Sequence, residues 1–584
     1  MFLNNLLKKD LLLIFIILLA GFLRFFLLDK IPIGITIDEL DYIINAKAIF
    51  LNFTDISGTW FPLSLTNPPF SFPKGEIPYL LFAPFIGPFP FSLFNARILP
   101  AILSILFVLV IYKIVLKLFG RDTAIIAGFL MAINPWAIWF GRTAYDTPIT
   151  VFFYFLAFYI LLITKSWKIF LAFPVMFIAF FSYVGTKIIL IPFIAIILFF
   201  SWQSLNKKRF TKQYLLFLFL SISIFFYFIF SILTRSEITR AGDLITPNSP
   251  WIVSIVDFER KLSIENSLTN VFANKPTVFV REVMSLYINA FDFDLIFVRG
   301  EQTAFISLWN QGFLYLFDSV FVILGLYFLF TKKRKHFIFV GFLIIISPIP
   351  AAVSSMGSSY SIRSSMLFPL LIIVASVGVN YLIKSINNGK YRYALTTVII
   401  IGYLFSLSMF LNNYLYRNPV YNSDTFNFSD RIVSKYIDIA QKYGQKVVLI
   451  GEADELRSVS IFYDYLFYSN SYNKNVIQEV AEVIRNGDKI YKKINLVSCD
   501  EFVFDKKSLI IMPSGLCNNL KIDLKNLSIA RLADGGEIYS VYDNNICSKY
   551  VLNKYPFKIQ MTDFNVEDLS EQKFCQTFVT NLHL

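Results

Sequence analysis

The chain has 584 residues, of which 56% are hydrophobic and only 16% are charged, and its mean hydropathy is +0.60. A soluble core cannot bury this much apolar surface, and average soluble domains are roughly 25% charged, so the composition excludes a soluble enzyme and predicts a membrane protein. The net charge of +13 does not indicate a nucleic-acid partner, because no basic-aromatic patch accompanies it.

Apolar segments near the length of a membrane span recur along the chain. We count about eleven, since a helix needs about 20 residues to cross the hydrocarbon core. They lie near residues 11–28, 98–117, 123–140, 149–164, 169–184, 187–203, 214–233, 312–331, 337–354, 365–383 and 394–411. A further apolar segment, 77–94, contains four prolines, which remove hydrogen-bond donors and kink helices. We expect this segment to lie at the outer membrane interface.

Lysine and arginine cluster in alternate connections between these segments. The clusters are Lys8 and Lys9; Lys113, Lys117 and Arg121; Lys165 and Lys168; Lys207, Lys208, Arg209 and Lys212; Lys332 to Lys335; and Lys384, Lys390 and Arg392. Short positive loops remain in the cytoplasm, so the pattern predicts a cytoplasmic N-terminus in a multi-pass protein of the plasma membrane. Residues 1–411 then form the transmembrane domain, with outward loops at about 29–97 and 234–311.

The last part of the chain, residues 412–584, has an ordinary soluble composition and faces outward on this topology. A helix is predicted at 430–444 and strands at 446–451 and 508–513, where apolar runs end at Gly or Pro. The expected fold class is therefore an α-helical polytopic membrane protein with a C-terminal extracytoplasmic α/β domain.

All the cysteines of the chain lie in this tail. They are Cys499, Cys517, Cys547 and Cys575. An even number in an outward domain is typical of disulfides in an oxidising compartment; the first two and the last two are the pairs closest in sequence, although three connectivities are possible. Four free thiols in a reducing host are the alternative. Metal binding is disfavoured, because the tail has no Cys-x-x-Cys pair and a single histidine.

Three carboxylates, Asp38, Glu39 and Asp41, follow the first spanning segment in the stretch GITIDELDY. An acidic cluster at a membrane surface has two interpretations. It is either a solvated loop at the interface or a general base or metal site at the mouth of a membrane cavity.

Five basic residues lie near the outer surface, against the charge trend of the other loops. They are Arg24, Lys74, Arg97, Arg142 and Arg363. Individually, each is typical of a side chain that snorkels to the interface; together they would surround an anionic phosphate. Few ionisable residues fall in the middle of a span, which favours surface chemistry over proton-coupled transport.

The stretch FLRFFLLDKIPIGITIDELDY resembles the first helix and first loop of the GT-C membrane glycosyltransferases related to protein O-mannosyltransferases, which carry an Asp-Glu pair there. Further resembling stretches follow in family order: GTWFPLSL, PKGEIPYLLFAPF, NARILPAILSILFVLVIYKIVLKLFGRD, INPWAIWFGRTAYDTPITVFF, SLYINAFDFDLIFVRGEQT and SPIPAAVSSMGSSYSIRSSMLFPLL. The resemblance covers roughly residues 10–410. It departs from the family where Lys74 is followed by Gly75 and Glu76 rather than by two prolines.

The resemblance implies a GT-C fold and an inverting transfer of a sugar from a polyprenyl-phosphate donor to an acceptor hydroxyl outside the cytoplasm. Asp38 and Glu39 are the implied catalytic residues, with Asp38 as the general base. The residues implied to bind substrate are Lys74, Arg97, Arg142, Asp146, Arg363 and Arg24.

No cofactor is required by this chemistry, although Asp41 would help to hold a divalent metal if one is bound. The expected partners are the lipid-linked donor, membrane lipid and an acceptor protein, lipid or glycan, with no nucleic acid. Two alternatives stay open: a transporter or flippase of a lipid-linked sugar, which needs no base, and a non-catalytic membrane scaffold.

Overall fold

The computed structural model describes residues 2–61, 74–164, 166–204, 212–234, 244–264, 266–302, 308, 310–355, 359–517, 527–552 and 559–581. Lys165 and the basic cluster Lys207, Lys208 and Arg209 lie outside these residues. The α-helices are α1 (Phe2–Phe25), α2 (Ile37–Asn52), α3 (Ile77–Ile86), α4 (Leu93–Phe119), α5 (Arg121–Ile133), α6 (Pro135–Phe140), α7 (Asp146–Ile163), α8 (Ala172–Phe180), α9 (Leu190–Ser204), α10 (Lys212–Thr234), α11 (Pro250–Lys261), α12 (Ser267–Phe272), α13 (Lys275–Asn289), α14 (Leu316–Lys332), α15 (Arg334–Ile346), α16 (Ile349–Ala352), α17 (Tyr360–Arg363), α18 (Leu367–Ser385), α19 (Gly389–Asn412), α20 (Asn418–Tyr421), α21 (Phe428–Lys442), α22 (Ser460–Tyr468), α23 (Ile477–Asn486) and α24 (Glu571–Phe578).

Six helical segments of the described chain are long and apolar enough to cross a membrane. They are Leu93–Phe119, Asp146–Ile163, Lys212–Phe230, Arg334–Ala352, Leu367–Ser385 and Gly389–Tyr421. Shorter apolar helices lie at Leu11–Phe25, Ile77–Ile86, Trp167–Phe180 and Gly185–Ser201. The helices confirm the predicted class of a multi-pass membrane protein, while the number of about eleven crossings stays a prediction.

One predicted span, 123–140, is divided in the structure. Helix α5 ends at Ile133, and Asn134 adopts an extended conformation before α6 begins at Pro135. A residue that precedes proline avoids the helical region, and the Asn134 side chain caps the new helix by accepting a 2.9 Å hydrogen bond from the Ala137 amide. The local chemistry of Asn-Pro therefore overrides the continuous apolar pattern.

The proline-rich segment 77–94 forms one short helix followed by a turn. Helix α3 has 10 residues, which cover roughly 15 Å, about half of the hydrocarbon core. The chain then turns at Gly87, and the Ser92 side chain caps α4 through the Asn95 amide at 3.1 Å. The segment therefore does not cross the membrane as a single straight helix.

The C-terminal part contains one mixed sheet, which confirms the predicted α/β fold. Its strands are β1 (Val447–Ile450), β2 (Ile490–Tyr491), β3 (Ile494–Val497), β4 (Leu509–Pro513), β5 (Leu527–Ala530), β6 (Glu537–Tyr542) and β7 (Val579–Thr580). Their order is β2-β3-β1-β4-β6-β5-β7. Strand β1 is parallel to β3 and β4, whereas β4, β6, β5 and β7 pair antiparallel. The predicted helix at 430–444 is α21, and the predicted strands are β1 and β4.

Two disulfides join the cysteines that are closest in sequence. One links Cys499 to Cys517 and the other links Cys547 to Cys575. The first bridge is half-buried, and both sulfurs of the second belong to fully buried residues. The predicted domain division after residue 411 falls at the end of α19 and stays a prediction.

The tail packs directly onto the first loop of the membrane part. The Phe91 amide donates a 3.1 Å hydrogen bond to the Asn470 side chain, and the Phe91 ring lies 5.0 Å from the Phe467 ring. Helix α22 also packs against α2, the helix that begins with the three predicted carboxylates. The tail is therefore a structural neighbour of the candidate site.

One buried acid of the tail predicts a dependence of stability on pH. Asp464 is 0% exposed, and neither of its carboxyl oxygens has a hydrogen-bond partner among the described residues. Burial, together with the charge of Asp430, raises the pKa of Asp464 well above its usual value. The folded state therefore holds the proton more tightly than the unfolded state, so this stabilisation is lost as pH rises through the folded-state pKa.

We expect the thermal unfolding midpoint of the full-length protein in detergent to fall as pH rises, and the Asp464→Asn variant to show a flatter profile. Asp500→Asn, which changes an exposed acid of the same domain, is the control. If Asp464→Asn and the parent protein show the same pH slope, the proton is not held at Asp464.

Candidate active site

Local sequence fixes the start of α2, where two of the predicted acids lie. Thr36 caps the helix by accepting a 3.3 Å hydrogen bond from the Glu39 amide, and the Glu39 carboxylate accepts a 3.0 Å bond from the Thr36 amide. This reciprocal pair is a capping box, and acids in the first turn also interact favourably with the helix dipole. The arrangement places Asp38 and Asp41 three residues apart on one helix face.

Asp38, Asp41 and Lys74 form the acid–lysine cluster. The Lys74 ammonium lies 2.9 Å from Asp38 Oδ1 and 3.1 Å from Asp41 Oδ2, and it sits over the Tyr42 ring at 5.2 Å. The Lys74 side chain is 5% exposed, whereas the Asp38 side chain is 35% exposed. Asp38 is therefore the member of the cluster that a substrate reaches most easily.

The protonation of Lys74 follows from its two neighbours. Burial alone lowers the pKa of an ammonium, but the charges of Asp41 and Asp38 outweigh it, and the pKa of Lys74 is raised. Lys74 therefore carries its positive charge at neutral pH.

Hydrogen bonds from hydroxyl and amide groups fix the orientation of Asp41 and Tyr42 in and next to the cluster. The Asp41 carboxylate accepts hydrogen bonds of 2.8 Å from the Tyr79 hydroxyl and 2.9 Å from the side-chain amide of Asn45. The Tyr42 hydroxyl donates to Asp146 Oδ2 at 2.8 Å and accepts from the Gly75 amide at 3.2 Å. Burial and the charge of Asp146 raise the pKa of Tyr42 well above its usual value, so the phenol stays a donor. Asp146 is thus connected to the cluster by its hydrogen bond with the Tyr42 hydroxyl.

Glu39 is turned away from the cluster toward backbone amides. One of its carboxylate oxygens caps α2, and the other accepts a 2.6 Å hydrogen bond from the Ala144 amide. The residue is fully buried, and burial raises the pKa of Glu39. The structure therefore uses Glu39 to join the start of α2 to the turn that precedes α7.

Arg97, Arg142 and Arg431 form the arginine bracket, which binds the backbone of the first loop. Arg142 donates to the Ile31 carbonyl at 3.0 Å. Arg97 donates to the Pro32 carbonyl at 2.7 Å and to the Gly34 carbonyl, while Arg431 of the tail donates to the Ile33 carbonyl. The three arginine residues are at most 3% exposed. Three arginines from distant parts of the chain thus hold residues 31–34.

Two of the predicted phosphate-binding arginines also bind the ends of helices. Arg142 donates to the Leu23 and Leu27 carbonyls at 3.1 Å, at the end of α1. Arg24 donates to the Met131 carbonyl at 3.3 Å and to the Ala132 carbonyl, at the end of α5. Basic groups at helix C-termini satisfy carbonyls that have no partner within the helix. Arg24, Arg97 and Arg142 therefore lie in a carbonyl network rather than in the acid–lysine cluster.

Arg363 lies in a different setting, at the end of the short helix α17. It is half-buried, and the Glu301 carboxylate caps this helix by accepting hydrogen bonds from the Tyr360 amide at 2.7 Å and the Ser361 amide at 3.1 Å. The buried hydroxyls of Ser361, Ser364 and Ser365 have no hydrogen-bond partner among the described residues. These serines were not among the predicted site residues, although the polar run SSYSIRSS between apolar segments is a signal that indicates them.

A buried ion pair anchors the segment that carries Lys74. The Lys187 ammonium lies 3.4 Å from Glu76 Oε1 and is surrounded by the rings of Phe180, Phe181 and Phe228. Burial raises the pKa of Glu76, and the charge of Lys187 opposes this effect. This pair was not predicted from the sequence, because its members are 111 residues apart in the chain.

Gly75 explains why the sequence departs from the family pattern after Lys74. A Cβ atom at this position would lie 1.7 Å from the Ser182 carbonyl oxygen. A bulkier residue would therefore push the Lys74 segment away from the turn that precedes Gly185–Ile189. Glycine at position 75 permits the close approach that the Glu76–Lys187 pair requires.

The carboxylates of the acid–lysine cluster are the residues predicted to hold a metal if one is bound. Within the described residues, no group of three or more Asp, Glu, His or Cys side chains is arranged to hold a metal ion. The Lys74 ammonium lies between the Asp38 and Asp41 carboxylates and forms an ion pair with each. A divalent ion bound by this pair would have to displace Lys74.

Residues 81–229 match the family model of dolichyl-phosphate-mannose-protein mannosyltransferases. The match confirms, over this segment, the resemblance that the sequence motifs indicated. It begins after Lys74 and ends before Arg363, so the acid–lysine cluster lies outside it. No match was found among curated proteins.

Two solved structures resemble the chain at low sequence identity. ArnT from Cupriavidus metallidurans, bound to undecaprenyl phosphate, is 12% identical; the similarity covers 91% of this chain and 97% of that chain, with a TM-score of 0.49. The archaeal oligosaccharyltransferase AglB from Archaeoglobus fulgidus, in complex with an inhibitory peptide and a dolichol-phosphate, is 12% identical. That similarity covers 87% of this chain and 69% of that chain, with a TM-score of 0.43.

The contact at Gly75 yields a stability prediction. Gly75→Ala should lower the stability of the full-length protein by about 1–3 kcal/mol, the usual cost of overpacking, because the new methyl group meets the Ser182 carbonyl. Thermal unfolding in detergent measures the effect. Gly341→Ala is the matched control, since no atom lies within 4 Å of its Cβ position. Equal unfolding midpoints for the two variants would contradict the close approach.

Proposed function

We propose that this protein is an inverting glycosyltransferase that moves a sugar from a polyprenyl-phosphate donor to an acceptor hydroxyl on the extracytoplasmic face of the membrane. The observation that carries the proposal is the acid–lysine cluster, in which one ammonium bridges two carboxylates at the start of α2. The match of residues 81–229 to a mannosyltransferase family supports the enzyme class. The acceptor is a protein, lipid or glycan that offers a hydroxyl group.

Asp38 acts as the general base. The acceptor hydroxyl gives its proton to Asp38 while its oxygen bonds to the anomeric carbon, and the bond from that carbon to the phosphate oxygen breaks. The electron pair leaves with the lipid phosphate, so a single displacement inverts the configuration of the sugar. A positioned base typically contributes about 10²–10⁴-fold to the rate.

Lys74 connects the base to the leaving group. Its charge favours the ionised form of Asp38, which is the form that accepts a proton. A donor phosphate that approaches Lys74 competes with Asp38 for the ammonium and is stabilised by it as charge develops on the leaving oxygen. Asp38 becomes more basic as its ion pair weakens, at the step that requires a base.

The other predicted site residues divide into two groups. Arg363, next to the buried hydroxyls of Ser364 and Ser365, is the second cation proposed for the donor phosphate. Asp146 is a positioning residue that acts through Tyr42 on the Gly75 backbone. Glu39, Arg24, Arg97 and Arg142 maintain the backbone around the site. The mechanism requires no cofactor.

Replacement of Asp38 by Asn tests the role of the base. The variant keeps the size of the side chain and removes its basicity, so turnover should fall by about 10²–10⁴-fold while donor binding is retained. Transfer or hydrolysis of labelled polyprenyl-phosphate sugars by the purified full-length protein measures turnover. Asp29→Asn, which changes an exposed acid of the same loop, is the control.

Full activity of the Asp38→Asn protein would remove Asp38 from the mechanism and favour a transporter. A Lys74→Met variant separates the two roles further. It should weaken donor binding, and unchanged donor affinity would place the phosphate away from the cluster.

The proposed topology, with the N-terminus in the cytoplasm and the tail outside, makes a separate prediction. The Cys499–Cys517 bridge is half-buried, so reduction should expose thiols that an impermeant reagent reaches, whereas the buried Cys547–Cys575 bridge should react less. Intact cells should therefore show labelling of the tail only after mild reduction. A Cys499→Ser/Cys517→Ser variant should lose this labelling. Labelling that requires permeabilised cells would place the tail in the cytoplasm.

A further inference from the structure

Helices α11, α12 and α13 form a separate small unit, residues 250–289, which we call the interfacial hairpin. Its own core consists of Ile252, Val256 and Val278, together with Ile245, and it is distinct from the large core of the protein. Arg281 on α13 forms a 2.7 Å ion pair with Glu259 on α11 at an exposed surface. One face of the hairpin is thus a buried seam, and another is polar.

A further face of α11 is apolar and exposed. Trp251, Phe258 and Leu262 are 41%, 62% and 70% exposed, and half-buried Ile255 lies between the first two. Spacings of four, three and four residues place these side chains along a single stripe of a helix. The stripe is separate from the seam, because Ile252 and Val256 occupy the buried side.

The apolar stripe continues onto the other two helices. On α13, Val280, Met284 and Ile288 are 57%, 49% and 60% exposed at intervals of four residues. Between the helices, Ile264 is 89% exposed and Phe272 is 71% exposed. Contiguous apolar surface of this kind is rare on a soluble face and marks a site of interaction.

The position of the hairpin identifies what covers this surface. The hairpin follows the candidate span Lys212–Phe230, and its base is joined to the end of the candidate span Arg334–Ala352. The Tyr287 hydroxyl donates a 2.8 Å hydrogen bond to the Ile345 carbonyl, and the Ile245 amide donates a 2.9 Å bond to the Val353 carbonyl. Ile345 precedes the end of that span by seven residues, roughly 10 Å of helix, so the base of the hairpin is bound to the last part of the candidate span.

We propose that the interfacial hairpin docks on the lipid bilayer, with its apolar stripe inserted into the leaflet on the side where α10 ends. Helices that carry Trp, Phe and Leu on one face and charged residues on another lie in the plane of the interface. The occupant is lipid because the hairpin is hydrogen-bonded to one candidate span and follows another, Lys212–Phe230, whose apolar surface is mostly exposed. Asp257 and Arg260, which are exposed on the opposite side of α11 from the stripe, stay on the water side.

Spin labels on the full-length protein in lipid nanodiscs test the proposal without any assay of activity. Ile264→Cys and Phe272→Cys provide the labelling sites, because the native cysteines are paired in disulfides and do not react without reduction. Val503→Cys is the matched control, since this residue is 82% exposed and apolar but belongs to the tail. At both hairpin positions, the collision frequency of the spin label with dissolved oxygen should exceed its collision frequency with a water-soluble nickel complex. Position 503 should show the reverse.

Two outcomes would overturn the proposal. Water-soluble collisions at positions 264 and 272 equal to those at position 503 would place the hairpin in solvent. Shielding that occurs only in nanodiscs with two copies, with a short distance between the two labels, would assign the surface to a second copy of the chain. Two hairpin positions are used because a failure of one variant to fold would leave the other to decide.

Discussion

The carbonyl oxygens of four consecutive residues, 31 to 34, are each bound by a buried arginine. The three arginines come from α4, from the turn after α6 and from the tail, so distant parts of the chain converge on one short stretch of backbone. A buried guanidinium is costly unless its donors are satisfied, and here most donors bind backbone carbonyls, the Tyr414 hydroxyl or the Glu567 carboxylate. Because Thr36 and the start of α2 follow directly, the position of Asp38 depends on this bracket.

Adjacent acids in α2 have different environments because of their positions in the first helical turn. Glu39 occupies the third helical position, where a carboxylate reaches back to the cap, and its other oxygen is held by the Ala144 amide. Asp38, one residue earlier, points toward Lys74 instead. The Glu76–Lys187 pair holds the Lys74 segment from the opposite side. The geometry of the cluster therefore arises from two independent anchors, one for each partner of the ion pair.

Hydropathy alone is sufficient to predict the membrane class, and apolar runs that end at Gly or Pro are sufficient to predict α21, β1 and β4. The break at Asn134 was missed because a hydropathy window averages over a single Asn-Pro step. The carbonyl contacts of Arg24, Arg97 and Arg142 were not predictable, because an arginine near the membrane surface looks the same in sequence whether it binds a phosphate or a carbonyl oxygen. Asp38 and Lys74 were predicted from the charged residues near the outer surface and from the family resemblance, whereas Glu76 and Lys187 pair only in three dimensions.

The bond from Arg431 to the Ile33 carbonyl spans 398 residues of sequence. Ile33 leaves the ribosome long before Arg431, which emerges only after the membrane helices have been made. Glu567, which orients the Arg431 guanidinium at 2.7 Å, emerges later still. The backbone that positions Asp38 therefore reaches its final form only after the tail has been made. A nascent or truncated chain lacks this support, so the order of translation itself delays the assembly of the site.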